Sequence, residues 1–385
     1  MKSLPVIPVR ARSAHLRDLL CAAGYEHAEI ARREQMRGGL SGAWLTRLTL
    51  RHPMPGGAAR YASVVYKRIT PLDGWLGEAS RDCGIREVRL WSSGILGDLP
   101  HALTMPALAY GYDGSADAPE AGAVLLADVR GALLREPLRA PRGRLPRMIL
   151  ALLDHLARLH ARYWCDPRLR DPTLGLMPSD AALRLISPDS IAARLAGGDT
   201  TPYLALAVAG WEAFFRLAPR GAAATLRDVL RVPEPYVTAL GRLPWTLAHG
   251  DVWGPNLGWL PPTRIAPHTG RRLLLLDWAL ATAGPATYDP LWLCGTWHAL
   301  HPPRILSAYR ARLERHLSAR GIDLPAATWR SLADAGYLRT ALTCGEALGR
   351  AAAEAPSGTV RDRAEQRVYW WAERAARAAQ QLAHP

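Results

Sequence analysis

Residues 247–260 read LAHGDVWGPNLGWL, and residues 273–278 read LLLLDW. In the first stretch His249, Asp251 and Asn256 fall in the spacing H-x-D-x-x-x-x-N, and the second carries an apolar run up to Asp277. The connection PPTRIAPHTG is rich in turn formers, so NLGWL and RLLLLD are expected to pair as strands and bring Asn256 and Asp277 together. An amide oxygen close to a carboxylate suits magnesium, a hard cation that takes few protein oxygens and keeps water and phosphate ligands.

Composition singles out the same asparagine. Of 48 basic side chains only Lys2 and Lys67 are lysine, and Asn256 is the only asparagine among 385 residues. Such a skew marks positions where Arg, Ser, Asp or Gly will not serve. At position 256 an aspartate would add charge where a neutral oxygen is wanted, and a serine would be too short. Lys2 lies near the start of the sequence and needs no special explanation; Lys67 sits in the strand-like run VVYKRI.

The remaining composition excludes whole classes. With 49% hydrophobic and 21% charged residues the chain is neither disordered nor fibrous, and its length allows two lobes. Cys21, Cys83, Cys165, Cys294 and Cys344 are far apart and form no CxxC, so reduced, mostly buried thiols are expected, with no structural zinc. No apolar run approaches the roughly eighteen residues of a membrane span. The opening MKSLPVIPVRARS lacks an apolar run of signal-peptide length, so a soluble, cytoplasmic protein is expected. The net charge of +14 comes from arginines interleaved with acids, without a basic block, which fits a solvated surface better than a nucleic-acid-binding arm.

Motif absences narrow the chemistry. No GxGxxG, GK[ST], GxSxG or HExxH occurs, which removes the dinucleotide, P-loop, serine-hydrolase and zincin readings. His298 and His301 form an HxxH in an apolar, aromatic stretch and are read as structural.

Periodicity predicts a helix over 13–23, strands over 43–50 and 61–69, a helix over 85–94, and two more strands in MPALAYGY and AVLLADV. Beyond Asp128 long helical patterns take over, at 148–163, 204–217, 222–230 and in the C-terminal VRDRAEQRVYWWAERAARAAQQLA.

With these residues in place the sequence resembles the aminoglycoside phosphotransferase and choline kinase-like family, relatives of the protein kinases, over about residues 37–300. The resemblance implies an α+β, bilobal, protein kinase-like fold. A small antiparallel sheet with one main helix would occupy residues 1–128, including the connector strand, as a nucleotide-binding lobe. A larger, mostly helical catalytic and acceptor-binding lobe would occupy residues 129–385. It further implies that Asp251 positions the acceptor hydroxyl and takes its proton, that His249 braces the catalytic loop, and that Asn256 and Asp277 hold magnesium on the phosphates of ATP.

The same template puts a strand lysine on the phosphates, paired with a glutamate of the next helix. Lys67 matches, with Glu87 as the expected partner and Glu78 as the alternative. Arginine could not replace Lys67 freely, since its planar fork needs more room than an ammonium. The loop Gly38, Gly39, Leu40, Ser41, Gly42 would lay backbone amides over the phosphates. AVLLADV would be the connector whose backbone, near Leu126 and Asp128, meets the adenine edge. Asp289 in TYDPLW is read as a helix-start carboxylate.

Two departures from protein kinases bear on the acceptor. Trp253 stands where those enzymes carry a lysine, and no APE motif follows Asp277, so no peptide-docking platform is expected. Beyond His298 there are 13 Arg against 8 acidic residues, so a neutral or anionic acceptor fits at least as well as a polycationic one. Trp253, Trp292 and Trp297 could stack on a ring or fill the core, the latter being the commoner fate of large aromatics. The function expected is phosphoryl transfer from ATP to a hydroxyl of a sugar, amino alcohol or antibiotic-like compound. No nucleic acid, membrane or obligate protein partner is expected. The other readings are a pseudokinase that binds nucleotide without turnover and, less favoured, a nucleic-acid-binding protein or a protein kinase.

Overall fold

The computed structural model describes residues 7–36, 43–54, 58–71, 74–83, 85–115, 119–134, 145–260 and 271–383. Gly38, Gly39, Ser41 and Gly42 of the expected phosphate loop lie outside the described residues, as does the connection 261–270. The strands are β1 (Val9–Arg10), β2 (Glu29–Gln35), β3 (Trp44–Pro53), β4 (Ala59–Ile69), β5 (Leu103–Thr104), β6 (Ala107–Gly114), β7 (Pro119–Ala127), β8 (Thr246–Ala248), β9 (Leu257–Leu260), β10 (Arg272–Leu275) and β11 (Thr282–Gly284).

The chain forms two compact units. The first comprises Met1–Arg135, Asp171–Leu176 and Gly254–Leu280; the second comprises Glu136–Arg170, Met177–Trp253 and Ala281–Pro385. The contiguous division expected at residues 128 and 129 therefore differs from the course of the chain, which returns to the first unit twice.

In the first unit a six-stranded sheet runs in the order β1-β6-β7-β4-β3-β2. Its pairs are antiparallel except β1 with β6, which are parallel. Alternation along β4 sorts its side chains: Val64 faces a core of Leu19, Leu48, Leu50, Ala123 and Leu125, built against the helix Leu16–Ala22. Lys67 and Ile69 point to the opposite face. There the helix Arg86–Ser92 packs over Gly122, where an added Cβ would lie 2.7 Å from Ile85 and 3.0 Å from Val88. Because Gly122 pairs with Ile69 and Val124 with Lys67, this helix is laid down beside Lys67. A second sheet, β5-β10-β9, completes the unit.

The second unit is helical apart from the β8–β11 pair. Its core helices include Arg147–Arg162, Pro202–Leu217, Tyr288–Thr296, Pro302–Ser318, Ala326–Ala353 and Thr359–Ala383. Small residues let Ala326–Ala353 approach its neighbours closely. An added Cβ at Gly336 would lie 2.6 Å from Thr287 Oγ1 and 2.7 Å from Leu291 Cδ1.

The expected fold class, an α+β chain with an N-terminal sheet region and a helical C-terminal region, is what the structure has. The strands β1, β2, β5, β8 and β11 are additions. β2, EIARREQ, has almost no apolar face because it is a charged edge strand, a common defence against edge-to-edge pairing. The cysteines are all free, but Cys21, Cys83 and Cys165 are exposed, against the expectation that most would be buried.

Candidate active site

The first unit gathers Lys67, Glu87 and Asp277. Lys67 Nζ donates to Glu87 Oε2 at 2.6 Å and to Asp277 Oδ1 at 2.8 Å. Lys67 and Glu87 are almost fully buried, whereas the Asp277 side chain is 33% exposed. Burial alone would lower the lysine pKa, but Asp277 and Glu87 together overturn that, and the ammonium is held above the ordinary lysine value. Burial pushes the Glu87 carboxyl up, further than Lys67 pulls it down. Glu78, the alternative partner, lies on the short helix Gly74–Ala79.

Asp277 reaches this position through a left-handed backbone, φ +62°, just past the end of β10. Its Oδ1 also lies 3.4 Å from the amide of Ala279. Asn256 closes the turn Gly254–Asn256 before β9, and its carbonyl accepts from Leu276 N at 2.9 Å. The register Leu257 to Leu275 thus sets Asn256 opposite the residue that precedes Asp277. An amide and a carboxylate at neighbouring positions of one hairpin are hard oxygen donors, and these two residues could hold magnesium together with phosphate oxygens. A small recess adjoins Lys67, lined by Ala43, Ile69, Leu76, Asp82 and Leu280.

Arg86, which the sequence reading passed over, fixes the segments on either side of this cluster. It is fully buried and donates from Nε to Gly175 O at 2.6 Å, from Nη2 to Ser80 O at 2.9 Å, and from Nη1 to Ala279 O. Its own amide donates to Asp82 Oδ1 at 2.7 Å. Arg86 therefore ties the start of the Glu87 helix to the residues just after Asp277.

Leu126 lies in β7, and Asp128 directly follows that strand. Leu126 is paired in β7 with Val65 and Ala107. The amide of Asp128 donates to Ser63 O at 3.2 Å and that of Ala127 to Pro106 O at 2.8 Å, so these backbone donors serve the sheet. The Asp128 carboxylate accepts from Ser63 Oγ at 2.8 Å and lies 3.3 Å from Arg47 Nε.

His249 and Asp251 belong to the second unit, on the loop after β8. His249 is fully buried, and its Nδ1 accepts from the amide of Asp251 at 3.2 Å. Asp289 anchors the loop from below: Oδ2 accepts from His249 N at 2.9 Å and Oδ1 from Gly250 N at 2.9 Å. Asp289 stands in the first turn of Tyr288–Thr296, the helix-start position read from the sequence, and its oxygens serve the amides of His249 and Gly250. Burial would raise its pKa, but hydrogen bonding to His160 and the charges around it hold the carboxyl below the usual range.

Further residues unseen in the sequence complete this support. His160 Nε2 lies 3.0 Å from Asp289 Oδ2, its Nδ1 meets Tyr309 OH, and its carbonyl accepts from Thr246 Oγ1 at 2.8 Å. Trp292 and Trp297 are buried, while Trp253 is 41% exposed. Burial lowers the His298 pKa to about 4. Among the described residues no group of three or more His, Cys, Asp or Glu side chains could hold a metal, and no helix is long and apolar enough to cross a membrane.

No protein-family model matches this chain, and no curated protein matches it. Solved structures that it resembles include choline kinases and aminoglycoside phosphotransferases. The choline kinase of Cryptosporidium parvum Iowa II is 10% identical, over 93% of this chain and 92% of that one, with a TM-score of 0.48. The choline kinase of Streptococcus pneumoniae is 12% identical, over 90% and 94%, with a TM-score of 0.40. An aminoglycoside-3′-phosphotransferase of type VIII is 17% identical, over 84% and 95%, with a TM-score of 0.37.

Proposed function

We propose that this chain is a small-molecule kinase that transfers the γ-phosphoryl group of ATP to a hydroxyl of a small acceptor. The observation that carries the reading is the Lys67 ammonium, buried between Glu87 at 2.6 Å and Asp277 at 2.8 Å. Desolvating an ammonium is costly, and its two carboxylates keep it charged and fixed in direction. Such a group is suited to phosphate oxygens, whose negative charge it would neutralise. The first unit is then the nucleotide-binding part and the second the acceptor-binding part.

Asn256 and Asp277 would hold the magnesium of the nucleotide, which neutralises charge on the phosphoryl oxygens when bound. Asp251 would orient the acceptor hydroxyl and take up its proton. His249 accepts from the amide of Asp251 and so holds the backbone from which that carboxylate projects. Catalysis of this kind is mostly positioning and electrostatics, which fits a loop fastened from inside by buried charged groups. The Arg excess beyond His298 favours a neutral or anionic acceptor.

A coupled ADP-release screen over sugars, amino alcohols and antibiotic-like compounds tests the proposal. One acceptor class should release ADP with the wild type and not with Asp251→Asn. Equal release by the two proteins would remove Asp251 from the role.

A further inference from the structure

Arg339 lies in the middle of the helix Ala326–Ala353 and is fully buried. Its Nη2 donates to the carbonyl of Gly250 at 3.3 Å. Its guanidinium carbon lies 4.6 Å from the centre of the Tyr288 ring and 5.0 Å from that of Trp292. Among the described residues Nε and Nη1 have no hydrogen-bond partner. Burying a cation with two idle donors is unfavourable, and an apolar residue of the same volume would avoid that cost. Its burial here calls for a use other than stability.

The Gly250 peptide supplies one. Gly250 has φ +83°, a conformation that glycine adopts without strain and that gives the loop no stiffness of its own. Asp289 holds the His249–Gly250 peptide by the Gly250 N–H at 2.9 Å, and Arg339 holds the next one, Gly250–Asp251, by the Gly250 C=O at 3.3 Å. The carbonyl of Gly250 belongs to the amide plane shared with Asp251, so fixing that plane fixes where the next side chain starts. We propose that Arg339 is a positioning residue for Asp251, gripping the Gly250–Asp251 peptide while Asp289 holds the peptide before it. This role rests on the kinase reading above. The aromatic faces of Tyr288 and Trp292 and the charges of the Asp289 and Asp251 carboxylates compensate the guanidinium, leaving Nη2 committed to the backbone.

Arg339→Met keeps the volume and removes the donor and the charge; Arg339→Lys restores a charged donor. In folded Arg339→Met, amide hydrogen exchange in the segment 249–253 should rise at least tenfold, with the first unit unchanged. In the ADP-release assay kcat should fall 10- to 100-fold with KM for ATP within twofold, and Arg339→Lys should recover part of both effects. Unchanged exchange, kcat within twofold of wild type, or a rise in KM for ATP that matches the loss in kcat would each overturn the proposal. If Arg339→Met does not fold, unchanged exchange or unchanged kcat in Arg339→Lys overturns it, and intermediate values support it. A wild type that releases no ADP with any acceptor removes the kinase reading. The exchange rates then decide alone whether Arg339 holds the loop.

Discussion

Replacing Lys67 by methionine keeps the length of the side chain and removes the charge that two carboxylates share. At N–O separations of 2.6 and 2.8 Å each attraction is worth roughly 6 kcal/mol gross at an effective dielectric constant near 20. The desolvation of Lys67 and Glu87 opposes this, as does the repulsion between Glu87 and Asp277. Asp277, at 33% exposure, is also partly screened by water. Glu87, at 1%, has no such relief and carries most of the effect. Removing one partner of a buried pair costs about 3–5 kcal/mol, and Lys67→Met should lose stability in that range at pH 7 in urea unfolding followed by tryptophan fluorescence. Adding Glu87→Gln should restore most of it, since no unpaired buried charge then remains.

The pH dependence of this variant has a definite sign. The wild-type lysine has a raised folded pKa, so its contribution is whole below the ordinary lysine pKa and is lost only in strong alkali. In Lys67→Met the unpaired Glu87 carboxyl is raised by burial and binds a proton more readily folded than unfolded, so the deficit shrinks as the pH falls below neutrality. A deficit below 1 kcal/mol, one that does not change with pH, or the absence of rescue by Glu87→Gln would refute the reasoning.

Asp251→Asn should lower kcat by roughly 10²–10⁴-fold while nucleotide affinity stays within threefold, measured by ADP release and by calorimetry. Asp289→Asn should destabilise the chain by about 3–5 kcal/mol at pH 7, because His160 and the His249 and Gly250 amides lose a buried carboxylate. The folded pKa of Asp289 is depressed, so its contribution is complete above the ordinary carboxylate pKa of about 3.9 and is lost as the pH falls below it. Urea unfolding of the two proteins should therefore converge toward pH 3. Gly336→Ala places a Cβ 2.6 Å from Thr287 Oγ1 and should cost about 1–3 kcal/mol by overpacking, read as a lower urea midpoint.

The residues legible in the sequence were those whose type is rare there. Lys67 and Asn256 stood out against arginine and against an otherwise asparagine-free chain, and period-two alternation put Lys67 on a strand. The pairing of β9 with β10 followed from two apolar runs around turn formers. Glu87 was legible as the partner of Lys67 because it sits one position inside the next helix, although the reason it lands there, Gly122 admitting that helix to the sheet, is a contact between distant segments.

Arg86 and Arg339 were invisible for the opposite reason: in a chain this rich in arginine, no single one carries a signal. His160 meets Asp289 across 129 residues of sequence and Tyr309 across 149. No local pattern encodes such partners. At Asp128 a connector and a sheet strand share one apolar pattern, and its amide donates to Ser63 O, a partner distant in sequence.

The central claim is that Lys67, Asn256 and Asp277 grip a magnesium-bound triphosphate. Calorimetric titration with a non-hydrolysable ATP analogue, with and without magnesium, tests it directly. The wild type should bind one analogue per chain, with Lys67→Met at least thirtyfold weaker and Asn256→Ala losing the magnesium dependence. Equal affinity in all three proteins, or no binding by the wild type, would contradict it.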